Sequence, residues 1–158
     1  MDTERALNGS GLLTNTIGNP LETTIALSHL IFEGTLDRFP GLKICAAHGG
    51  GFLPSYAARS DAVITTFPNR VGPLPNKKPT QYLKDGQLYF DSIMFTPEGL
   101  RHLIAETGVG KVVIGIDYPF PWNCVRSIAS SRPPASATTT ALRSSAAPPQ
   151  SCSGSIEA

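Results

Sequence analysis

The stretch Leu42-Lys43-Ile44-Cys45-Ala46-Ala47-His48-Gly49-Gly50-Gly51 decides the fold. Residues 42–47 form a short apolar run, which is typical of a strand buried on both faces in a parallel sheet. Cys45 is therefore expected to pack in the core. His48 and three glycines follow directly, at the carboxyl end of the strand, where α/β barrels and open α/β sheets carry their functional groups.

A helix is predicted before this strand, over residues 20–38. Asn19 is a good N-cap residue, and Pro20 suits the first helical position. The sequence Phe39-Pro40-Gly41 ends the helix. Its apolar face would contain Leu27, Leu30 and Ile31.

The chain after the glycines predicts two more strands. A helix beginning near Pro54 leads into a proline-rich stretch, Thr65–Pro79, that is expected to be a long loop. Leu88–Asp91 is a short strand, and Lys111–Ile116 is another. Between them lies a helix that Thr96 caps, that Gly108 or Gly110 ends, and whose apolar stripe would be Leu100, Leu103 and Ile104.

This order predicts an α/β fold of parallel strands joined by crossover helices. A complete (β/α)₈ barrel needs roughly 250 residues. The ordered part of the chain, residues 1–125, supplies three strands. We therefore expect a partial TIM-type barrel containing strands six to eight, with two open sheet edges.

Composition excludes several classes of function. The 158 residues are 41% hydrophobic and 16% charged, with a net charge of +1 and no basic cluster, so neither nucleic acid nor an anionic membrane is an expected partner. The apolar runs are too short to span a bilayer, and no secretory signal is recognised. The three cysteines form no CxxC pair, which favours a reduced, cytoplasmic setting.

Residues 126–158 form a second segment of different composition. Most of them are Ser, Ala, Pro or Thr, and none is aromatic. Such a segment buries too little apolar surface to offset its ordering entropy. We predict that it is a disordered tail.

Two polar residues follow strands in the positions where function concentrates. His48 is a candidate acid–base group or metal ligand, or else a structural histidine at a strand end. Asp117 is a candidate metal ligand or proton acceptor, or else an Asx-turn residue. Arg59 could bind a carboxylate, although a solvated arginine, paired with Asp61 or with nothing, is the simpler interpretation.

The remaining candidates have weaker arguments. His29 is expected to be partly buried and structural, and His102 to lie on a helix surface. Asp91 could support the site or simply begin a turn. Phe120 and Trp122 could line a pocket or pack a barrel mouth. The sequence contains no P-loop, dinucleotide fingerprint, nucleophile elbow or His-x-His pair.

Four segments in order resemble the amidohydrolase family related to aminocarboxymuconate-semialdehyde decarboxylase. They span about residues 12–123 and are Gly18–Thr24, Leu42–Gly51, Leu88–Ser92 and Gly115–Trp122. The resemblance implies a distorted (β/α)₈ barrel with one divalent metal, often zinc, and non-oxidative loss of CO₂ from an aromatic or unsaturated acid. It implies that Asp117 binds the metal and that His48 is catalytic. Arg59 would bind a small-molecule carboxylic acid, in some members across a homodimer interface.

The sequence also departs from the family. The His-x-His of the first strand and a ligand histidine of the fifth have no counterpart and would lie upstream of Met1, which leaves one ligand of four. A shifted reading frame makes the tail resemble the family's closing helix, which suggests a frameshift near residue 125. Two alternatives therefore stay open: a metal-dependent hydrolase on the same scaffold, and a non-catalytic remnant.

Overall fold

The computed structural model describes residues 6–120. The predicted tail 126–158, together with Trp122, Cys124 and Cys152, lies outside the described residues. Within residues 6–120, no helix is long and apolar enough to cross a membrane.

A three-stranded parallel sheet organises the described chain. The strands are β1 (Ile44–Ala46), β2 (Leu88–Asp91) and β3 (Val112–Val113), in the spatial order β1-β2-β3. Cys45 pairs with Tyr89, and Asp91 pairs with Val113. Because all pairings are parallel, the three carboxyl ends meet at one edge of the sheet. The predicted parallel α/β arrangement is confirmed.

Helices connect and flank these strands. A π-helical turn, Thr14–Gly18, leads into the first of them, and short 3₁₀ turns occupy His48–Gly50 and Val109–Lys111. The helices are α1 (Asn19–Phe32), α2 (Thr35–Arg38), α3 (Leu53–Thr66), α4 (Pro68–Val71), α5 (Pro79–Tyr82) and α6 (Pro97–Thr107).

The hydrophobic core lies between the helices and one face of the sheet. Successive strand residues point to opposite faces, so Ala46, Leu88 and Phe90 share the helix-covered face. All three are buried, and Phe90 and Leu88 are fully so. The helices contribute the other buried side chains of this cluster: Leu27, Ile31, Leu36, Leu53, Ala57, Tyr82, Leu83 and Leu103.

The opposite face of the sheet lacks this cover within residues 6–120. Cys45 is exposed, Tyr89 is half-buried, and Val113 is 37% exposed. The prediction of a strand buried on both faces, with Cys45 in the core, was therefore wrong. The apolar run correctly indicated a strand, but alternation places Cys45 on the face that the described helices do not cover.

Two predictions about the first helix need correction. It does not run from Pro20 to Arg38, because Gly34 adopts a left-handed conformation (φ 71°) and separates α1 from α2. Asn19 is not an N-cap either, since the preceding π-helical turn keeps both Gly18 and Asn19 in right-handed helical geometry. The helical spacing of Leu27 and Ile31 was nevertheless informative, since both are buried.

Predictions downstream had mixed outcomes. β2 has the predicted bounds, and Thr96 caps α6 by accepting a hydrogen bond from the Gly99 N–H at 3.1 Å. Of the two glycines predicted as possible ends of α6, Gly108 is the one that ends it. The expected loop 65–79 instead contains the end of α3 and all of α4. The third strand is shorter than the predicted Lys111–Ile116: Lys111 belongs to the preceding 3₁₀ turn, and the ladder with β2 ends where Asp91 pairs with Val113.

A polar network ties α2 to the segment before α5. Tyr82, 1% exposed, donates its hydroxyl to the Asp37 carboxylate at 2.7 Å, and Asp37 also accepts the Asn76 N–H at 3.0 Å. Burial works to raise the pKa of Asp37, but these hydrogen bonds and the Lys77 charge lower it on balance. Burial and the bond to Asp37 raise the pKa of Tyr82 to about 12.

Candidate active site

A half-open cavity of about 640 Å³ lies past the carboxyl ends of the strands. This volume is in the range of small-molecule sites. His48 and Asp117, which leave β1 and β3 respectively, both line it. The structure thus brings two of the three predicted site residues to one cavity. Its other lining residues are Asn15, Thr16, Asn19, Pro20, Gly51, Phe52, Ser55, Ile93, Met94, Phe95 and Phe120.

Neighbouring atoms lie so close to the three positions after His48 that each of them requires glycine. A Cβ on Gly50 would lie 2.6 Å from the Phe90 ring, and one on Gly51 would collide with the Pro20 carbonyl oxygen. A Cβ on Gly49 would likewise overlap the sulfur of Met94. All three also have positive φ, between 59° and 81°. The loop therefore packs directly onto β2 and α1, which fixes where the chain leaves His48.

Asp91 holds the start of this loop from the central strand. Its buried carboxylate accepts the backbone N–H of His48 at 2.9 Å and that of Gly49 at 2.7 Å. It also accepts the Ile93 N–H at 3.1 Å. Hydrogen bonds to an ionised acceptor are stronger than neutral ones. Of the two interpretations left open for Asp91, support of the site is the one that this geometry favours.

His48 itself is held in an unusual conformation. Its φ of 57° is in the left-handed region, which is uncommon for residues other than glycine. Its ring is half-buried, and Nδ1 lies 2.9 Å from Oγ1 of Thr23 on α1. Sequence reasoning did not single out Thr23, although it belongs to the Gly18–Thr24 segment that carried the family resemblance.

Asp117 is positioned by contacts with the end of β2. Ser92 Oγ accepts the Gly115 N–H at 3.1 Å, which continues the β2–β3 association beyond the ladder. Asp117 also has a left-handed φ of 56°, and its carbonyl accepts the Phe120 N–H at 2.9 Å. Its carboxylate makes no hydrogen bond among residues 6–120, so its oxygens remain available to a ligand in the cavity.

The described residues do not make a metal site by themselves. Nowhere in residues 6–120 do three or more His, Cys, Asp or Glu side chains cluster so that they could hold a metal ion. Catalytic zinc sites normally use three protein ligands. Asp117 offers one carboxylate, and the ligand set in this part of the chain is incomplete.

Arg59 lies near the cavity but does not line it. It is exposed on α3, one helical turn beyond Ser55, which does line the cavity. Arg59 makes no ion pair in the described part of the chain. Of the two surface states expected for Arg59, paired with Asp61 or unpaired, the described residues show the unpaired one, since Asp61 accepts hydrogen bonds from the hydroxyl and N–H of Thr80 at 2.6 and 3.1 Å.

The other two histidines lie on helix surfaces. His29 was expected to be partly buried, but it is exposed and its Nδ1 lies 2.6 Å from Glu33. His102 is exposed, as predicted, and contacts the Ser55 hydroxyl at 2.9 Å. All three histidines therefore have different and identifiable hydrogen-bond partners.

The cavity walls are largely apolar and aromatic. Phe52, Phe95 and Phe120 contribute rings, and Ile93 and Met94 contribute aliphatic surface. Asn15 and Asn19, two neutral polar residues, also line the cavity. Of the two predicted wall residues, Phe120 lines the cavity, whereas Trp122 lies outside the described residues.

Comparison with known proteins identifies the family. The amidohydrolase family pattern matches residues 9–123. The chain belongs to the amidohydrolase family. The predicted family membership is thereby confirmed, and the three parallel strands are part of its TIM-type barrel.

Relatives of this chain within the family include several decarboxylases. The chain is 36% identical over 105 residues to 2-amino-3-carboxymuconate-6-semialdehyde decarboxylase of Dictyostelium discoideum, covering 66% of this chain and 29% of the relative. It is 32% identical to 6-methylsalicylic acid decarboxylase of Penicillium expansum, covering 63% and 30%. The chain thus spans less than a third of the length of these relatives.

Solved structures give the same picture. The 5-carboxyvanillate decarboxylase of Sphingomonas paucimobilis superposes with a TM-score of 0.71 at 30% identity, covering 83% of this chain and 40% of that one. A dihydroxybenzoic acid decarboxylase from Polaromonas, solved with manganese and 2-nitroresorcinol, superposes with a TM-score of 0.55 at 29% identity, covering 63% and 30%.

Proposed function

We propose that this chain is part of a metal-dependent decarboxylase, a carboxy-lyase, that acts on an aromatic or unsaturated carboxylic acid. The observation that carries the proposal is the convergence of His48 and Asp117 on one cavity at the carboxyl ends of parallel strands. The aromatic walls of that cavity suit a planar ring. The relatives described above act on acids of this class.

The chemistry assigns distinct tasks to the residues. Non-oxidative decarboxylation breaks a carbon–carbon bond, releases CO₂ and leaves an electron pair on carbon, so one proton must be delivered to that carbon. His48 is the group that would carry this proton, since an imidazole can both hold and release one near neutral pH. Its fixed backbone and ring would keep the proton in one place.

Asp117 would contribute one carboxylate to a divalent metal. That metal would supply positive charge beside the substrate when bound. The incomplete ligand set means that histidine or carboxylate ligands from outside the described residues must complete the site. The family resemblance suggests zinc, whereas the dihydroxybenzoic acid decarboxylase was solved with manganese, so both ions belong in the test.

Arg59 would bind the substrate carboxylate, although it does not line the cavity described above. It is exposed and unpaired within residues 6–120, which leaves its guanidinium free for an anionic partner. A position one turn beyond the cavity rim fits a role at the site of a neighbouring subunit. A homodimer is therefore part of the proposal.

The test joins the chain to the amino-terminal part of the Dictyostelium discoideum relative. CO₂ release from 6-methylsalicylate and 5-carboxyvanillate is measured with zinc and with manganese. His48→Ala should keep the metal but lower kcat by about 10²–10⁴-fold. Asp117→Ala should lower metal occupancy, and Arg59→Ala should mainly raise KM.

Each variant has a control of the same residue type elsewhere in the described chain. His29→Ala removes an exposed histidine, Asp85→Ala an exposed carboxylate, and Arg70→Ala an exposed guanidinium. None of the three lines the cavity, so kcat, KM and metal content should stay near wild type. Full turnover in His48→Ala, or full metal content in Asp117→Ala, would contradict the assigned roles.

A further inference from the structure

We propose that Thr23 is a positioning residue for His48: its hydroxyl donates to Nδ1 of the imidazole and makes Nε2 the nitrogen that serves the cavity. This inference deepens the proposed function and rests on it for its catalytic consequence. The contact between Thr23 and His48 is a feature of the structure whether or not the chain is active.

The direction of this hydrogen bond follows from the surroundings of Thr23. A helical threonine commonly donates its hydroxyl to the carbonyl four residues earlier. The neighbouring Thr24 does so, donating to the Pro20 carbonyl at 2.7 Å. Thr23 makes no such bond among the described residues, and its hydroxyl instead lies 2.9 Å from Nδ1 of His48. No described carbonyl takes the hydroxyl proton of Thr23, and in the proposal Nδ1 of His48 is its acceptor.

The tautomer of His48 follows from that direction. A neutral imidazole carries one N–H, and the nitrogen that accepts a hydrogen bond is the one without the proton. With Nδ1 accepting from Thr23, the proton of the neutral ring is on Nε2. Nε2 is thus the nitrogen left to donate to an anionic ligand in the cavity.

Two independent constraints then fix His48. Asp91 holds its backbone N–H at 2.9 Å, and Thr23 holds its ring at 2.9 Å from another element. The same helix α1 also anchors the far end of the glycine loop, because Thr24 accepts the Phe52 N–H at 2.7 Å. Thr23 thus contacts the ring of His48, and the adjacent Thr24 binds Phe52, the residue that follows the three glycines.

The first experiment observes the ring directly in the full 158-residue chain. The sequence has three histidines, so long-range ¹H–¹⁵N spectra at about pH 8, above the ordinary histidine pKa of about 6.5, are readily assigned with His29→Gln and His102→Gln. We expect His48 to carry its proton on Nε2, with Nδ1 shifted by an accepted hydrogen bond. Thr23→Val should remove that shift, and Thr23→Ser should restore it.

The controls separate positioning from folding. Thr65→Val removes a hydroxyl that also lies on a helix but bonds only the Asp61 carbonyl among described residues, and it should leave the His48 resonances unchanged. The His29 and His102 resonances report on folding in the same sample. If Thr23→Val fails to fold, the wild-type spectrum still decides. A proton on Nδ1 of His48, or an Nδ1 resonance that does not respond to Thr23→Val in a folded sample, overturns the proposal.

The activity readout distinguishes this inference from the proposed function. In the joined enzyme, Thr23→Val should lower kcat by about three- to tenfold with little change in KM, the equivalent of one neutral hydrogen bond. Thr23→Ser should restore it. If His48→Ala keeps full turnover while the ring spectra behave as expected, the function fails and the positioning stands. If His48→Ala abolishes turnover but neither kcat nor the spectra respond to Thr23, the positioning fails and the function stands.

Discussion

The carboxylate of Asp91 accepts the backbone N–H of His48 at 2.9 Å across 43 residues of sequence. This bond joins the central strand to the first residue of the glycine loop. It is made to the main chain, so it does not depend on the imidazole of His48. Asp91 therefore determines where a residue at position 48 can lie, independently of what that residue does.

Asp91→Asn should destabilise the chain by about 1.5–3 kcal/mol. One carboxylate oxygen accepts the N–H groups of Gly49 and Ile93 and the other accepts that of His48, whereas an amide has one oxygen acceptor and would turn its NH₂ toward at least one of these donors. Urea unfolding at neutral pH measures the loss. Asp85→Asn, which removes only an exposed ion pair with Lys77, should cost less than about 1 kcal/mol. Equal losses in the two variants would argue against the role given to Asp91.

Gly50→Ala should be much more costly than Gly34→Ala. Both glycines have positive φ, at 81° and 71°, but an added Cβ at position 50 lies 2.6 Å from the Phe90 ring while position 34 has open space. We expect about 1–2 kcal/mol from backbone strain at Gly34 and about 2–4 kcal/mol at Gly50, where steric overlap is added. Thermal or urea unfolding of the two variants side by side measures the difference. Similar values would show that the loop can move away from β2.

Alkaline pH should destabilise the wild-type chain through Tyr82. The pKa of this buried phenol is raised from 10.0 to about 12 in the folded chain. Between these values the unfolded chain releases the proton and the folded chain retains it, so the stabilisation present below pH 10 is lost as pH rises toward 12. The expected loss is on the order of 2 kcal/mol.

Tyr82→Phe provides the matched comparison. It should lower stability at pH 8 by about 1–2 kcal/mol, since Asp37 loses its hydroxyl donor. The variant should then lose less stability than the wild type between pH 9 and pH 11, as followed by urea midpoints. An equally steep alkaline decline in both proteins would assign the effect to other groups, such as the lysines.

Ile114→Lys should reduce self-association of the chain. Ile114 is 80% exposed directly after β3, which is an edge strand in the described sheet. Exposed apolar residues beside an unpaired strand edge favour intermolecular pairing, and a lysine there opposes it. Light scattering at increasing protein concentration measures the change. Leu74→Lys adds the same charge at a residue that is 49% exposed between α4 and α5, outside the sheet, and it should have a smaller effect.

The sequence predicted best the features that depend on local chemistry. The bounds of β2, the Thr96 cap and the end of α6 at Gly108 are each determined by residues close to them in sequence. The positions of His48 and Asp117 at one edge also followed, because parallel strands bring their carboxyl ends together. A single conformational choice at Gly34 was enough to make the predicted helix length wrong.

The features that were missed depend on which face of an element meets which neighbour. Thr23 and His48 are 25 residues apart, and no local pattern indicates that a helical hydroxyl will reach that ring. The assignment of Cys45 to the core failed for a related reason: an apolar residue signals a strand but not whether its face is covered. The spacing of Arg59 after His48 likewise could not tell whether its side chain enters the cavity.

Phe90 and Asp91 are consecutive residues of β2, and they hold the glycine loop from opposite faces of one strand. The Phe90 ring lies under Gly50, and the Asp91 carboxylate binds the N–H of Gly49. Under selection, residues 49–51 and 90–91 should therefore behave as one epistatic block, in which a substitution is tolerated only together with a compensating partner. A saturation library scored for abundance and one scored for activity should lose variants at the same five positions, so the two screens would not separate folding from chemistry there.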